Sequence, residues 1–564
     1  MKNTLDGGEA ILEACRRLGV DYIVSSPGTE WAPVWEAMAN QMQAGLAGPK
    51  FMDVWHETLA VNIASGYTKV TGKPQCVLLH AGSGLLQGTM GIHGALLSSI
   101  PMVVISGETM TYGEDAEFDP GAQWVNNLSV VGGTTRMVEP MVKFSTQAGS
   151  THTIYESVIR AGEMAQRSPV GPTYLSVSTE TLMEEWNPPE NPRDVPPAPK
   201  LHTAPEDIQK LAALIVKAKN PVVLTEAGGR DPEGFKAMVR LSELAALPVV
   251  ENRGSLFANF PKDHPMHQGS DFDVFKGDAD LVIVVSARAP WYPPSDCPPN
   301  ADIAIIDETP HRPFMVYQSL QANLYLEGDI ARTLQDLADA VEAIGVDSAA
   351  IEARRARLIQ SHDAIQEANR AIQAEARTKT PIDQVWLTAC LNEVMPDNTI
   401  YVDEVTTHTG MLRRHLNYTR PQSLFSRQGG LGQGLGLSLG VKLGSPGRPV
   451  VTLIGDGAFL YNPVLQALGA ARDYNLPTMA VIYNNKKYQA MQGMHLTMYP
   501  DGTAVETDNF HGTHINAPDF VKIAEAFGAY GEMVTDPEQV QDALRRGLEA
   551  INGGKSAIIN VVIS

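Results

Sequence analysis

The sequence is most informative at residues 450–457, VVTLIGDG. The first five of these residues are apolar or β-branched, which is typical of a buried strand. The strand ends in Gly455, Asp456 and Gly457, and α/β sheets bind their ligands at the carboxyl ends of their strands. Glycines let a diphosphate approach the backbone, and a helix that follows offers its N-terminal N–H groups. The stretch therefore predicts an α/β fold with a ligand site at Asp456.

A second apolar strand, residues 479–483, ends in residues 484–487, NNKK. Asp456 and one of the two asparagines can meet across adjacent strand ends and bind a hard cation through oxygen. Mg²⁺ suits such a site, with a backbone carbonyl, water and phosphate oxygens as its other ligands. The two strand ends together predict a metal-assisted diphosphate site.

The charge of the chain limits its partners. Its 564 residues include 43 Lys and Arg and 64 Asp and Glu, so the net charge is 43 − 64 = −21. Such a chain repels nucleic acid phosphates and anionic lipid, and we expect neither as a partner. An anionic ligand has to be bound locally, and a metal ion at Asp456 with backbone N–H groups around it meets that requirement.

Short apolar runs alternate with helical segments along the whole chain, which is typical of parallel sheets with crossover helices. A proline-rich stretch, residues 186–205, follows the first such unit, and a charged helical segment, residues 330–378, precedes the third. The predicted fold class is α/β, with three doubly wound parallel-sheet domains. The predicted domain bounds are 1–185, 204–330 and 381–564. The predicted strands are 20–25, 76–80, 101–106, 173–177, 221–225, 248–250, 281–286, 302–306, 399–402, 449–454, 478–483 and 557–563.

Cysteine spacing and the N-terminus bear on the location of the protein. The four cysteines lie far apart with no C-x-x-C pair, which indicates reduced thiols and a reducing compartment. The first residues contain no apolar segment of a signal peptide. The uncharged stretch 74–107 is interrupted by glycines and Pro101, as in a buried α/β core rather than a membrane span. We expect a cytoplasmic protein with no membrane partner.

The GDG motif and the asparagine pair that follows it resemble the thiamine-diphosphate motif of the decarboxylase and acetolactate synthase superfamily. The resemblance implies thiamine diphosphate and Mg²⁺ as cofactors, with Asp456, Asn485 and the carbonyl of Lys487 as metal ligands. The spacing of 29 residues between Asp456 and Asn485 is longer than usual in that superfamily, so Asn484 stays an alternative ligand.

The same resemblance assigns further cofactor contacts. Gly429 would offer its carbonyl to the aminopyrimidine, and Leu431 would hold the cofactor in its bent conformation. A loop with Thr406 and His408 resembles the family loop that contacts the diphosphate. The glycine-rich stretch 429–436 does not match G-x-G-x-x-G, which disfavours a nicotinamide dehydrogenase. The remaining predicted cofactor-binding residues are Gly455, Asp456, Gly457 and Ala458.

Residues 55–60, WHETLA, and 64–68, ASGYT, match a pattern of the pyrimidine-binding domain in this superfamily. The matching Glu57 would hydrogen-bond the pyrimidine ring and favour the tautomer that removes the thiazolium C2 proton. Glu57 is therefore the predicted catalytic carboxylate and also a cofactor contact. Its presence favours an active enzyme over a scaffold that only binds the cofactor.

His80 is the last residue of the predicted strand 76–80 and is predicted to face the cleft. Benzoylformate decarboxylases generally have a histidine there that relays protons, whereas acetolactate synthases do not, so the resemblance makes His80 catalytic. Ser26 and Thr29 resemble the loop that binds the substrate carboxylate. Residues 289–294, APWYPP, lack the second histidine of the decarboxylases. By this alignment, the pair of proton-relaying histidines is incomplete.

The resemblance implies a pyrimidine-binding, a middle Rossmann-like and a diphosphate-binding domain. The predicted function is a non-oxidative 2-oxo acid decarboxylase similar to benzoylformate decarboxylase, with carboligase activity as an additional outcome. An acetolactate synthase-like carboligase is the alternative, and a 2-hydroxyacyl-CoA lyase or a non-catalytic scaffold is less favoured. We expect a homodimer or homotetramer acting on a small 2-oxo acid. FAD in the middle domain would be a relic, and nothing in the sequence supports it.

Overall fold

The computed structural model describes residues 5–108, 133–252 and 254–564. Within these ranges the strands form three sheets whose neighbouring named strands all pair in parallel, and helices flank each sheet. This arrangement confirms the predicted class of three α/β parallel-sheet domains. A membrane-spanning helix would need a longer apolar run than any helix of the described residues has.

The first sheet is built from the N-terminal part of the chain. Its strands are β1 (Tyr22–Ser25), β2 (Lys50–Asp53), β3 (Gln75–Leu79), β4 (Met102–Glu108), β5 (Ser145–Gln147) and β6 (Pro172–Ser178). The helices here are α1 (Gly7–Arg17), α2 (Ala32–Gln43), α3 (Glu57–Thr71), α4 (Ala81–Leu97), α5 (Gly133–Val138), α6 (Thr151–Gln166) and α7 (Thr179–Met183). The strand order is β2-β1-β3-β4-β6-β5. Strands β3 and β6 are buried along their whole length, because helices cover both faces of the sheet.

The second sheet is built from the middle of the chain. Its strands are β7 (Pro221–Thr225), β8 (Val249–Glu251), β9 (Leu281–Val285), β10 (Asp302–Asp307) and β11 (Leu324–Glu327), in the order β11-β10-β9-β7-β8. The helices are α8 (Pro205–Lys217), α9 (Pro232–Ala245), α10 (Asp273–Lys276), α11 (Ile330–Ile344) and the long α12 (Ser348–Ala376). At the carboxyl ends of its strands, Arg288 forms an ion pair with buried Glu226, and Arg312 forms one with buried Asp307.

The third sheet is built from the C-terminal part. Its strands are β12 (Ile400–Glu404), β13 (Leu424–Ser426), β14 (Val450–Gly455), β15 (Met479–Asn484), β16 (Tyr530–Val534) and β17 (Ala557–Val562), in the order β13-β12-β14-β15-β17-β16. The helices are α13 (Gln384–Val394), α14 (Thr409–His415), α15 (Gly434–Gly444), α16 (Asp456–Tyr461), α17 (Val464–Asp473), α18 (Gln489–Met498), α19 (Thr503–Glu506), α20 (Phe520–Ala526) and α21 (Val540–Asn552).

The first and third sheets have the same strand order when each is numbered from its own first strand. In each sheet the first strand lies between the second and the third, so the direction of chain progression reverses there. Open α/β sheets bind ligands at such a switch point, outside the carboxyl ends of the strands. The topology therefore points to the ends of β1 and β3 in one sheet and of β12 and β14 in the other.

The chain divides into two compact units. One consists of Met1–Pro199, Arg427–Gly447 and Tyr461–Thr478, and the other of Lys200–Ser426, Arg448–Leu460 and Met479–Ser564. We call these the first and the second unit.

Glycines bring two helices of the first unit, α3 and α15, into close contact. A Cβ atom on Gly66 of α3 would lie 2.1 Å from the carbonyl oxygen of Leu437, and one on Gly440 of α15 would lie 2.0 Å from that of Ile63. No larger residue fits at either position without moving a backbone, so these glycines serve helix packing.

A buried charged cluster in the second unit centres on Glu251 at the end of β8. Its carboxylate lies 3.2 Å from the ammonium of Lys262, 3.3 Å from Nε2 of His267 and 2.7 Å from the hydroxyl of Tyr418. Burial opposes its ionisation, yet Lys262, His267 and Tyr418 hold the pKa of Glu251 well below its usual range. Burial and the charge of Lys262 lower the pKa of His267 to about 4. The cluster is therefore a buried ion pair between Lys262 and Glu251, next to which His267 is neutral at pH 7.

Candidate active site

The switch point of the first sheet carries several of the predicted site residues. Ser26 follows β1, and its N–H donates to the carbonyl of Leu78 in β3. Thr29 begins a short 3₁₀ turn, Thr29–Trp31, three residues later. His80 follows β3 directly and is the N-cap residue of α4. The structure thus brings Ser26, Thr29 and His80 to neighbouring strand ends.

A residue that the sequence did not single out, Glu30, binds His80. Its carboxylate oxygens lie 2.8 and 3.0 Å from Nδ1 of the imidazole, and one of them accepts the N–H of Ala81 at 2.9 Å. The Glu30 side chain is only 4% exposed, against 22% for His80. Gly107 in β4 makes room for Glu30, because a Cβ there would lie 2.0 Å from its Cγ.

Glu57 lies on the same side of α4 as His80. It is the first residue of α3, whose N-cap His56 accepts the N–H of Thr58 through its side chain. A Cβ atom built on Gly84 would lie 3.0 Å from both Oε1 of Glu57 and Cβ of His80. The two predicted catalytic side chains therefore both border Gly84, where a Cβ atom would require one of them to shift by a few tenths of an ångström.

A third carboxyl group, Glu108, lies at the end of β4. It accepts a hydrogen bond from Thr134 at 2.5 Å. Burial raises the pKa of Glu108 against the effect of its hydrogen bonds, and the charge of Glu30 adds to the rise. The strand ends of the first sheet thus combine a histidine with carboxyl groups in different surroundings, which is an arrangement typical of acid–base sites.

Ser26 and Thr29 differ in exposure. Thr29 is exposed, whereas Ser26 is buried. Within the described ranges, the hydroxyl of Ser26 has no hydrogen-bond partner. A buried hydroxyl without a partner costs free energy, and a bound acceptor would restore it. Such an atom fits the predicted role of binding a substrate carboxylate.

The switch point of the third sheet carries Asp456. The residue follows β14 and begins α16, and its two carboxylate oxygens accept the N–H groups of Gly457 at 2.9 Å and Lys486 at 2.8 Å. Burial raises the pKa of Asp456, although these N–H groups oppose the rise. A divalent cation would favour the ionised form of this carboxyl group, because the two N–H groups only partly offset the effect of burial.

The two asparagines after β15 have different surroundings. Asn484 is buried, and its amide donates to Asn560 at 2.9 Å. Asn485 is less buried, lies in the turn and donates to Gln489 at 2.7 Å, while its oxygen accepts the N–H of Lys487 at 3.1 Å. Among the described residues no three His, Cys, Asp or Glu side chains form a metal cluster. A metal here would therefore be bound by one carboxylate with amide and carbonyl oxygens, which suits Mg²⁺.

The remaining predicted contacts fall in both units. In the second unit, a Cβ on Gly455 would meet nothing within 4 Å, whereas one on Gly457 would strike the ring of Tyr488. Open space at Gly455 fits close approach of a diphosphate. The buried Ala458 lies in α16.

Thr406 and His408 lie in the 3₁₀ turn after β12. Thr406 has φ +47, a strained left-handed conformation for a β-branched residue. His408 is buried beside Tyr483, and burial lowers its pKa.

Gly429 and Leu431 belong to the first unit. Gly429 has φ +88, which favours glycine, and a Cβ there would lie 3.2 Å from His93. Leu431 is partly buried. The structure thus groups Glu57, His80, Gly429 and Leu431 in one unit and Asp456, Asn485, Thr406 and His408 in the other.

Three family models match the chain. They describe thiamine pyrophosphate enzymes: the N-terminal TPP binding domain matches residues 5–129, the central domain 208–337, and the C-terminal TPP binding domain 404–561. The models together span well over half of the chain in the order of the family. The chain belongs to the thiamine pyrophosphate enzyme family, and it is an enzyme whose cofactor is thiamine diphosphate.

The relatives that match nearly the whole chain have low sequence identity to it. Acetolactate synthase of Bacillus subtilis is 27% identical over 96% of this chain and 91% of its own length. Two solved structures have a TM-score of 0.79 over 99% of this chain. These are benzoylformate decarboxylase from Polynucleobacter necessarius, 20% identical over 98% of its own chain, and 4-hydroxybenzoylformate decarboxylase from Rhodococcus jostii RHA1, 23% identical over 99%. At these identities the structural likeness concerns the fold.

Proposed function

We propose that the protein is a thiamine-diphosphate- and Mg²⁺-dependent, non-oxidative 2-oxo acid decarboxylase. The observation that carries the proposal is His80 at the end of β3, which borders Gly84 together with Glu57. A protonated imidazole beside the reacting carbon can deliver the proton that turns the decarboxylated substrate into an aldehyde.

The cofactor would supply the carbon centre that adds to the 2-oxo acid and holds the charge after CO₂ leaves. Glu57 would bind its pyrimidine ring, assisted by Gly429 and Leu431. Thr406, His408, Gly455, Gly457 and Ala458 would surround the diphosphate. Ser26, whose buried hydroxyl has no partner among the residues that the structure describes, and Thr29 would bind the substrate carboxylate.

For the metal, we infer Asp456, Asn485 and the carbonyl of Lys487 as ligands. The amide nitrogens of Asn484 and Asn485 donate to Asn560 and Gln489, and each amide oxygen accepts a backbone N–H. Asn484 therefore stays the alternative amide ligand. We further propose domain bounds of 1–185, 204–330 and 381–564, a homodimer or homotetramer, and a cytoplasmic location.

The second candidate function is an acetolactate synthase-like carboligase. It is favoured by the similarity to acetolactate synthase over nearly the whole chain. The two functions share every step up to the loss of CO₂. They differ in whether a proton or a second carbonyl compound then reacts.

One experiment tests both functions. The protein is incubated with thiamine diphosphate, Mg²⁺ and a panel of aliphatic and aromatic 2-oxo acids, and CO₂, aldehyde and 2-hydroxyketone are quantified. Aldehyde as the main product supports the decarboxylase, and acetolactate or another hydroxyketone supports the carboligase. Absence of CO₂ release from every acid would contradict both.

A further inference from the structure

We infer that Glu30 is a positioning residue: it fixes a proton on Nδ1 of His80, so that His80 donates only its Nε2 proton. We further infer that this carboxylate–histidine pair directs the reaction to aldehyde. The inference rests on the proposed function for its chemistry and on the contacts of the first unit for its geometry.

The tautomer of His80 follows from its partner. An ionised carboxylate only accepts hydrogen bonds, so the ring nitrogen facing Glu30 has to carry the proton. That nitrogen is Nδ1, which lies 2.8 and 3.0 Å from the two oxygens. The proton that comes and goes is therefore the one on Nε2, and carboxylate partners of this kind fix both the tautomer and the ring orientation.

Glu30 itself is held from three sides. Its Oε1 also accepts the N–H of Ala81, the first residue of α4, where a negative charge is favoured by the N-terminal end of a 17-residue helix. A Cβ on Gly28 would lie 2.8 Å from the same oxygen, and the Cγ contact at Gly107 leaves no space on the β4 side. A carboxylate fixed in this way orients the imidazole without freedom to turn away.

The proton transfer balances within the proposed reaction. After CO₂ leaves, the Nε2–H bond breaks and a C–H bond forms at the carbon that carried the carboxylate, and the neutral imidazole then recovers a proton from solvent. The Glu30 carboxylate stabilises the imidazolium from which the proton leaves. Three carboxyl groups from different elements face this ring or its partner, and they are Glu30 in the 3₁₀ turn, Glu57 in α3 and Glu108 in β4.

The test compares Glu30→Gln with Glu184→Gln in the holoenzyme. Glu184 is a matched control, because it also accepts an N–H at a helix start, that of Thr151 in α6, at 3.3 Å. In Glu30→Gln we expect aldehyde formation to fall at least about 10-fold, since general acid catalysis contributes about 10²–10⁴-fold. We also expect the alkaline limb of its pH profile to move to lower pH, because the imidazolium has lost its anion. The 2-hydroxyketone share of the product should rise.

Glu184→Gln should leave the rate, pH profile and product ratio unchanged. A Glu30→Gln enzyme with the wild-type pH profile and product ratio would overturn the inference, even if its melting temperature were lower.

A second measurement does not depend on turnover. Histidine-selective ¹⁵N NMR of the wild-type protein, assigned with His80→Ala, reports which ring nitrogen of His80 carries the proton. Nδ1–H is expected, and Nε2–H alone would overturn the inference. If the wild type releases no aldehyde from any 2-oxo acid, the proposed function fails, and the NMR result alone decides the role of Glu30.

Discussion

The first and third sheets share one strand order, yet their switch points carry different chemistry. At the ends of β1 and β3 the chain presents Glu30 and His80, whose side chains can exchange protons. At the ends of β12 and β14 it presents Thr406 and Asp456, set among backbone N–H groups and glycines. We therefore propose that the same topology carries an acid–base site in one sheet and a diphosphate and metal site in the other. The loops that follow the strands, not the sheets themselves, decide which of the two kinds of site a sheet carries.

The largest expected effect comes from the third sheet. Asp456→Ala should remove the only carboxylate that we assign to the metal, so cofactor affinity should fall by more than about 100-fold and activity with it. Titration of intrinsic fluorescence with thiamine diphosphate and Mg²⁺ measures this. Asp473→Asn, at the end of α17, is the control and should bind normally. Unchanged affinity in Asp456→Ala would contradict the assignment.

The next effect comes from the first sheet. His80→Ala should reduce aldehyde formation by about 10²–10⁴-fold, because it removes the general acid, and should leave cofactor affinity unchanged. His152→Ala on α6 is an exposed control of the same chemistry. If His80→Ala lost cofactor binding instead, the assignment of different roles to the two switch points would be contradicted.

A smaller effect is expected at Gly84, which both Glu57 and His80 border. Gly84→Ala adds a Cβ 3.0 Å from both side chains, so one of them has to shift by a few tenths of an ångström. A misplacement of about 1 Å can cost catalysis about 100-fold, and for this smaller shift we expect a drop of roughly 10-fold in kcat. Gly149→Ala, whose Cβ meets nothing within 4 Å, should behave as wild type. Full activity in Gly84→Ala would show that neither Glu57 nor His80 needs the space at Gly84.

The smallest effect is on stability. The pKa of His267 is lowered to about 4 by burial and Lys262, below the ordinary value of about 6.5 in the unfolded chain. Between these values the unfolded state binds more protons, so stability falls as pH decreases from about 6.5 to 4. Thermal unfolding of wild type and His267→Asn at pH 7 and pH 5 measures this. A smaller loss in the variant is expected, and an equal loss would contradict the assignment.

Much of the fold could be predicted from the sequence, because buried parallel strands are continuous apolar runs. The strands predicted at 449–454 and 478–483 correspond to β14 and β15. Short strands such as β5 and β13 were missed, because strands of three residues hardly differ from a loop in sequence.

Glu30 was missed for a different reason. One acidic residue after a turn looks like a surface residue until the fold brings β3 and β4 against it. The signal that could have found it is Gly107, a glycine inside an apolar strand, which indicates close approach by another group. We looked in the middle domain for a second histidine, whereas the carboxylate that contacts His80 lies in the 3₁₀ turn that follows β1.

Proton donation by His80 is tested most directly by the product that forms from a 2-oxo acid in D₂O with thiamine diphosphate and Mg²⁺ present. We expect CO₂ and, in equal amount, an aldehyde that carries deuterium at its carbonyl carbon, and a strong loss of that aldehyde in His80→Ala. Hydroxyketone as the main product of the wild type, at a rate that His80→Ala does not change, would contradict proton donation by His80.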